Sequence, residues 1–96
     1  MKVILCFGTR PEAIKMAPVI KVCQNNKQLK TIVCVTAQHR EMLDQVLNFF
    51  EITPDIDLDL MQANQSLNEL SARIINAIDK VLEKEQPDWV LVHGDT

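Results

Sequence analysis

Glycine is scarce in this chain, with Gly8 and Gly94 the only two in 96 residues. That shortage excludes two familiar phosphate loops, since G-x-G-x-x-G needs three glycines and G-x-x-x-x-G-K-[ST] needs two within one loop. Nicotinamide and P-loop NTPase readings are therefore set aside. Basic residues are no more plentiful. Ten Lys and Arg against thirteen Asp and Glu give a formal net charge of −3. No Lys/Arg run supplies the positive patch that a nucleic-acid or anionic-membrane partner requires. No apolar stretch approaches the roughly 20 residues of a membrane span. The apolar run at 3–7 is also too short for a secretory leader before Thr9-Arg10-Pro11-Glu12. Three cysteines, Cys6, Cys23 and Cys34, make an odd number in no metal-ligand spacing. Read as buried free thiols, they fit a reducing cytoplasm, and no metal site is expected.

What is present is an alternation of short apolar runs with helical periodicity. The pattern predicts strands at 2–7, 31–35, 55–60 and 89–93, and helices at 11–24, 39–50 and 66–85. The runs at 2–7, 31–35 and 89–93 read as strands buried on both faces. Asp-Ile-Asp-Leu-Asp-Leu at 55–60 alternates with a period of two, as a strand with one solvated face does near a sheet edge. The first helix is expected to turn Ile14, Ala17, Ile20 and Val19 inward, and to kink or break at Pro18. Its start has two readings: Thr9 as N-cap with Glu12 closing a capping box, or Arg10 as N-cap with Pro11 at N1. The second carries Met42, Leu43, Val46, Leu47 and Phe50 on one stripe. The third opens on the capping box Ser66-Leu67-Asn68-Glu69, turns Leu67, Leu70, Ile74, Ile78, Val81 and Leu82 inward, and stops at Pro87.

Right-handed crossovers fold βαβαβαβ into an α/β, doubly wound parallel sheet of strand order 3-2-1-4, with helices on both faces. A strand so close to residue 96 reads as part of a longer protein, so the chain is expected to be a partial N-terminal Rossmann-like domain. In that order the first and fourth strands are neighbours, and ligands bind outside their carboxyl ends. Both glycines fall there, in Gly8-Thr9-Arg10-Pro11-Glu12 and His93-Gly94-Asp95-Thr96. The first segment brings a helix N-terminus, with Arg10 and Lys15 as cations beside it, which suits a diphosphate; the bland reading is two solvated side chains. Asp95 is either a turn residue or an acid/base or hydroxyl-binding group among anion ligands. His93 reads as a packed strand-end histidine before a catalyst. The stretch Thr36-Ala37-Gln38-His39-Arg40-Glu41 caps the next helix or touches a ligand. Lys27, Lys30, Lys80, Glu83, Lys84 and Glu85 read as solvated charges.

Three segments are familiar as sequence: residues 7–18 around Gly-Thr-Arg-Pro-Glu, 35–47 around Thr-Ala-Gln-His-Arg-Glu, and 90–96 ending His-Gly-Asp-Thr. Together they resemble the bacterial non-hydrolysing UDP-N-acetylglucosamine 2-epimerases, in order and across the whole chain. Hydrolysing relatives carry a different opening loop and a different residue after His-Gly-Asp. The resemblance implies a two-domain GT-B-type fold, a cytoplasmic isomerase and a homodimer. It implies interconversion of UDP-N-acetylglucosamine and UDP-N-acetylmannosamine for surface-polysaccharide supply, by elimination of UDP to 2-acetamidoglucal and re-addition, without a cofactor. Carried over, Gly8, Thr9, Arg10 and Thr96 hold substrate, Arg10 on the diphosphate. Lys15 and Asp95 are catalytic, and Gln38 and His39 belong to a second, activating UDP-N-acetylglucosamine site. Asn64 stands near a position that is basic in some members. Two rivals are a GT-B glycosyltransferase using a UDP-sugar and a flavodoxin-like interaction module. The latter lacks its acidic cluster, since the first strand leads into Gly8-Thr9-Arg10.

Overall fold

A computed structural model of the chain describes residues 1–36, 40–60 and 65–93, with the side chain of Arg40 outside that description. The elements run β1 (Lys2–Phe7), α1 (Arg10–Gln24), β2 (Lys30–Val35), α2 (Arg40–Phe49), β3 (Ile56–Asp57), α3 (Leu67–Glu85) and β4 (Trp89–Val92). All four strands are parallel, in the order β3-β2-β1-β4. The doubly wound arrangement expected from the alternation is the one observed.

Each face of the sheet has its own core. Val3, Leu5, Phe7, Val33 and Val35 point to one side, where α1 lays down Ala13, Met16, Ala17 and Ile20 and α2 adds Leu43, Val46 and Leu47. Ile4, Ile32 and Cys34 point to the other, under Val81 and Ile78 of α3. Leu5, Val33 and Ile20 are wholly buried, and each contributes about 1.5–3 kcal/mol over an exposed side chain.

The strands are set in place by a repeated device. Asp88, just before β4, donates its N–H to the Lys2 carbonyl (2.8 Å), while its carboxylate accepts from the Lys2 N–H (2.8 Å). Asp55, just before β3, does the same with Val33: N–H to carbonyl at 2.8 Å and carboxylate from N–H at 2.8 Å. One side chain thus completes a ladder step on each neighbouring strand. Lys2 adds a bond from Nζ to the Glu85 carbonyl (2.8 Å) and an ion pair with its carboxylate (3.4 Å). Glu85 is therefore paired, not merely a solvated charge.

Several expectations are corrected. α1 begins at Arg10 and runs unbroken through Pro18, which lies on the exposed face. There water can satisfy the carbonyl that a proline cannot serve. Ile14 and Val19 are exposed because the inward stripe of α1 is 13, 16, 17 and 20, and those two fall beside it. Met42 is exposed for the same reason on α2. Regular pairing in β3 covers only Ile56–Asp57, since Asp59 takes a left-handed conformation (φ 49°). Leu58 and Leu60 still donate to the carbonyls of Val35 and Thr36, and the apolar-in, acidic-out alternation holds.

α3 keeps its cap, Ser66 Oγ accepting from the Glu69 N–H at 3.1 Å. It ends at Gln86 in the left-handed region, directly before Pro87. Leu67 and Leu82 are exposed, however, and α3 meets the sheet through Val81 and Ile78. β4 is not buried either: Trp89 is 59% and Val92 66% exposed. It pairs with β1 alone and forms an edge of the sheet.

Candidate functional site

The strand order brings the carboxyl ends of β1 and β4 side by side, where a ligand crevice was expected. Cys6 is level with Val92, so Phe7 and His93 leave the two strands side by side. Gly8 follows in a buried turn. No described glycine has a positive φ, so Gly8 is not required by the turn's backbone. What it supplies is space, the absence of a Cβ where a ligand can approach.

Thr9 is the N-cap of α1, in extended conformation (φ −124°, ψ 164°), and its carbonyl accepts from the Ala13 N–H at 3.0 Å. This decides between the two starts left open above. The expected capping box does not form. The Thr9 hydroxyl donates to Glu12 Oε1 at 2.7 Å, and no side chain caps the helix N-terminus. Pro11 has no N–H to satisfy, and the remaining first-turn N–H groups keep their polarity for the crevice. Glu12 is only 8% exposed, so a buried carboxylate sits under the loop where the helix dipole favours it. Sequence reasoning missed that role, although an acid directly after Arg-Pro in a first turn was the available signal.

Arg10 and Lys15 are both exposed. Five residues apart, they lie about 140° round the helix from each other, so they do not share a face. Arg10 and Ile14 line a hollow of about 330 Å³ between α1 and α2, with Gln45, Val46, Phe49 and Phe50 opposite. Phe49 and Phe50 meet edge to face, with ring centroids 5.1 Å apart. His93 is half-buried, and its Nδ1 is shielded from solvent with no hydrogen-bond partner among the described residues. A strand-end histidine was expected to pack; this one keeps an unused ring nitrogen at the crevice. Gln38, His39, Asn64, Gly94, Asp95 and Thr96 lie outside the described residues.

Thr36 joins the site from β2. It is buried, its N–H donates to the Phe7 carbonyl at 3.0 Å, and its own carbonyl accepts from Leu60 at 3.0 Å. It ties the exits of β1 and β2 together, which makes it structural. Among the described residues no group of three or more His, Cys, Asp or Glu could hold a metal ion, and no helix is long and apolar enough to cross a membrane.

The sequence model of one family, described as UDP-N-acetylglucosamine 2-epimerase, matches residues 21–96. The chain belongs to that family. It is 60% identical over all 96 residues to the UDP-N-acetylglucosamine 2-epimerase of Neisseria meningitidis, covering 26% of that protein. To the enzyme of Escherichia coli K12 it is 55% identical, again over its full length and covering 26%. The crystal structure of the Neisseria epimerase bound to UDP-GlcNAc superposes with a TM-score of 0.94, covering 100% of this chain and 26% of that one. The S. aureus MnaA–UDP co-structure gives 0.92 at 55% identity, covering 99% of this chain and 25% of that one. The chain therefore spans about a quarter of the length of the epimerases it matches.

Proposed function

We propose that the protein carrying this chain is a UDP-N-acetylglucosamine 2-epimerase. It interconverts UDP-N-acetylglucosamine and UDP-N-acetylmannosamine. UDP leaves C1 as a proton leaves C2, giving 2-acetamidoglucal; UDP then returns to C1 and a proton to the opposite face of C2. The observation that carries this reading is the superposition of the entire chain on a UDP-GlcNAc-bound epimerase at 60% identity. It favours an epimerase over a glycosyltransferase or an interaction module.

The chemistry at the crevice agrees. A diphosphate needs positive charge and N–H donors, and the uncapped start of α1 offers both with Arg10 at its first position. In this reading Gly8, Thr9 and Thr96 line the nucleotide-sugar, and Arg10 grips its diphosphate. Asp95 and Lys15 serve the proton transfers, and Gln38 and His39 contribute to a second UDP-N-acetylglucosamine site. A cytoplasmic homodimer completes the proposal.

Arg10→Ala in the whole protein tests it. A charge-assisted bond is worth about 1.5–3 kcal/mol, so UDP affinity measured by titration calorimetry should fall roughly 10- to 100-fold. Unchanged affinity would remove Arg10 from the diphosphate site.

A further inference from the structure

Two thiols with no part in the proposed reaction lie side by side beneath the crevice. Cys6 and Cys34 are directly paired in the parallel register of β1 and β2, so both side chains leave the sheet on the same face. There they join one cluster with Ile4, Ile32, Ile56, Ile78 and Val81. Adjacent strands run about 4.8 Å apart, within the roughly 4.4–6.8 Å between Cα atoms that a disulfide spans. Both cysteines are free, and each thiol is the largest influence on the other's ionisation.

The pair is unequal. Cys34 is wholly buried, whereas Cys6 is partly open to solvent. The hydrogen bond from Cys34 stabilises a Cys6 thiolate and holds Cys6 below the ordinary thiol range, against its own burial and the Glu12 carboxylate. The same bond pushes Cys34 upward, with burial and the charges of Cys6 and Asp57 acting in the same direction. A partly open thiol held below the ordinary range, beside a protected one in bonding range, is the arrangement of an attacking and a resolving cysteine.

We propose that Cys6 and Cys34 form an oxidation-sensitive dithiol, in which a peroxide oxidises Cys6 and Cys34 closes the pair to a disulfide joining β1 to β2. The Cys6 thiolate attacks one oxygen of hydrogen peroxide and breaks the O–O bond. This gives a sulfenic acid and a hydroxide, which takes up the proton Cys6 released. The Cys34 sulfur then attacks the Cys6 sulfur, expels the second hydroxide and gives it the Cys34 proton. Two thiols lose two electrons in all, and one peroxide becomes two waters. Cys6 stands two residues before Gly8 and Cys34 two before Thr36, so the bridge ties together the roots of both loops. The inference rests on strand register and does not depend on which nucleotide the crevice takes.

The test uses the whole protein, reduced, exposed to hydrogen peroxide, alkylated and digested with trypsin. Because Pro11 blocks cleavage after Arg10, Cys6 falls in the peptide 3–15, Cys34 in 31–40 and Cys23 in 22–27. The expected result is the one-for-one loss of free thiol from 3–15 and 31–40, replaced by a linked species that dithiothreitol splits. In Cys34→Ser, dimedone should trap a sulfenic acid on Cys6; in Cys6→Ser, Cys34 should keep its thiol. The wild-type digest decides the matter if a variant does not fold. Sulfinic acid on Cys6 beside an intact Cys34 thiol, a link through Cys23, or two unreacted thiols would each overturn the proposal.

Discussion

Gln86 closes α3 at φ 46° and ψ 59°, a left-handed conformation that costs a residue with a Cβ roughly 1–2 kcal/mol. Glycine is at ease there and is the usual residue just past a helix end. Gln86→Gly is therefore expected to stabilise the fold by about 1 kcal/mol, offset in part by the greater freedom glycine gains when unfolded. The urea midpoint should rise with an unchanged slope; a lower midpoint would mean that the Gln86 side chain contributes more than its backbone costs. At this scale the sequence was unevenly informative. The cap at Ser66 was legible because a hydroxyl three residues before a glutamate has few other uses at a helix start. The partner of Glu12 was not, because the same pattern at Thr9 admits a hydroxyl that accepts from the backbone and one that donates to the acid. Only the geometry separates them.

At the scale of elements, Asp55 and Asp88 do for strands what caps do for helices. Each supplies an acceptor to the neighbouring strand at the point where its own strand has yet to begin. Asp88→Ala leaves the Lys2 N–H without that partner and should destabilise the fold by about 1–2 kcal/mol, read as a lower urea midpoint. Asp88→Asn, which keeps an acceptor oxygen, should lose less. Equal losses would point to charge, and not the hydrogen bond, as the source of the effect. The faces of α1 and α2 were only partly legible. Apolar residues mark a stripe, but Ile14 and Met42 sit at its margin. Which margin is covered depends on where the next helix lies, which no single helix encodes. Similarly, the alternation at 55–60 identified the wet side of β3 and overstated its ladder, since Asp59 turns out of register without breaking the pattern.

Across the whole molecule, strand order was the most legible property, because it follows from short crossovers and their handedness more than from any residue. It placed the crevice outside β1 and β4 before any side chain was located. Within residues 1–96, Trp89, Val90 and Val92 are exposed and β4 pairs with β1 alone, in a chain that spans about a quarter of the epimerases it matches. The epimerases matched are about four times as long as this chain. Residues 1–96 alone are accordingly expected to give no conversion of UDP-N-acetylglucosamine in a proton-exchange assay at C2 in deuterated water. Exchange above the buffer background would show that this quarter suffices.

The Asp88 clasp sits where β4 begins, against Lys2 and at the opposite end of β1 from Gly8, whereas the Asp55 clasp grips Val33, level with Leu5 and nearer the exits. Alignment of β4 against β1 is thus settled a strand's length away from the loop that follows β1. Substitutions in the loop after β1 can alter what is bound there without sliding β4 past β1. Along β1 the scaffold separates tolerance to change from the chemistry being changed, by placing them at the strand's two ends.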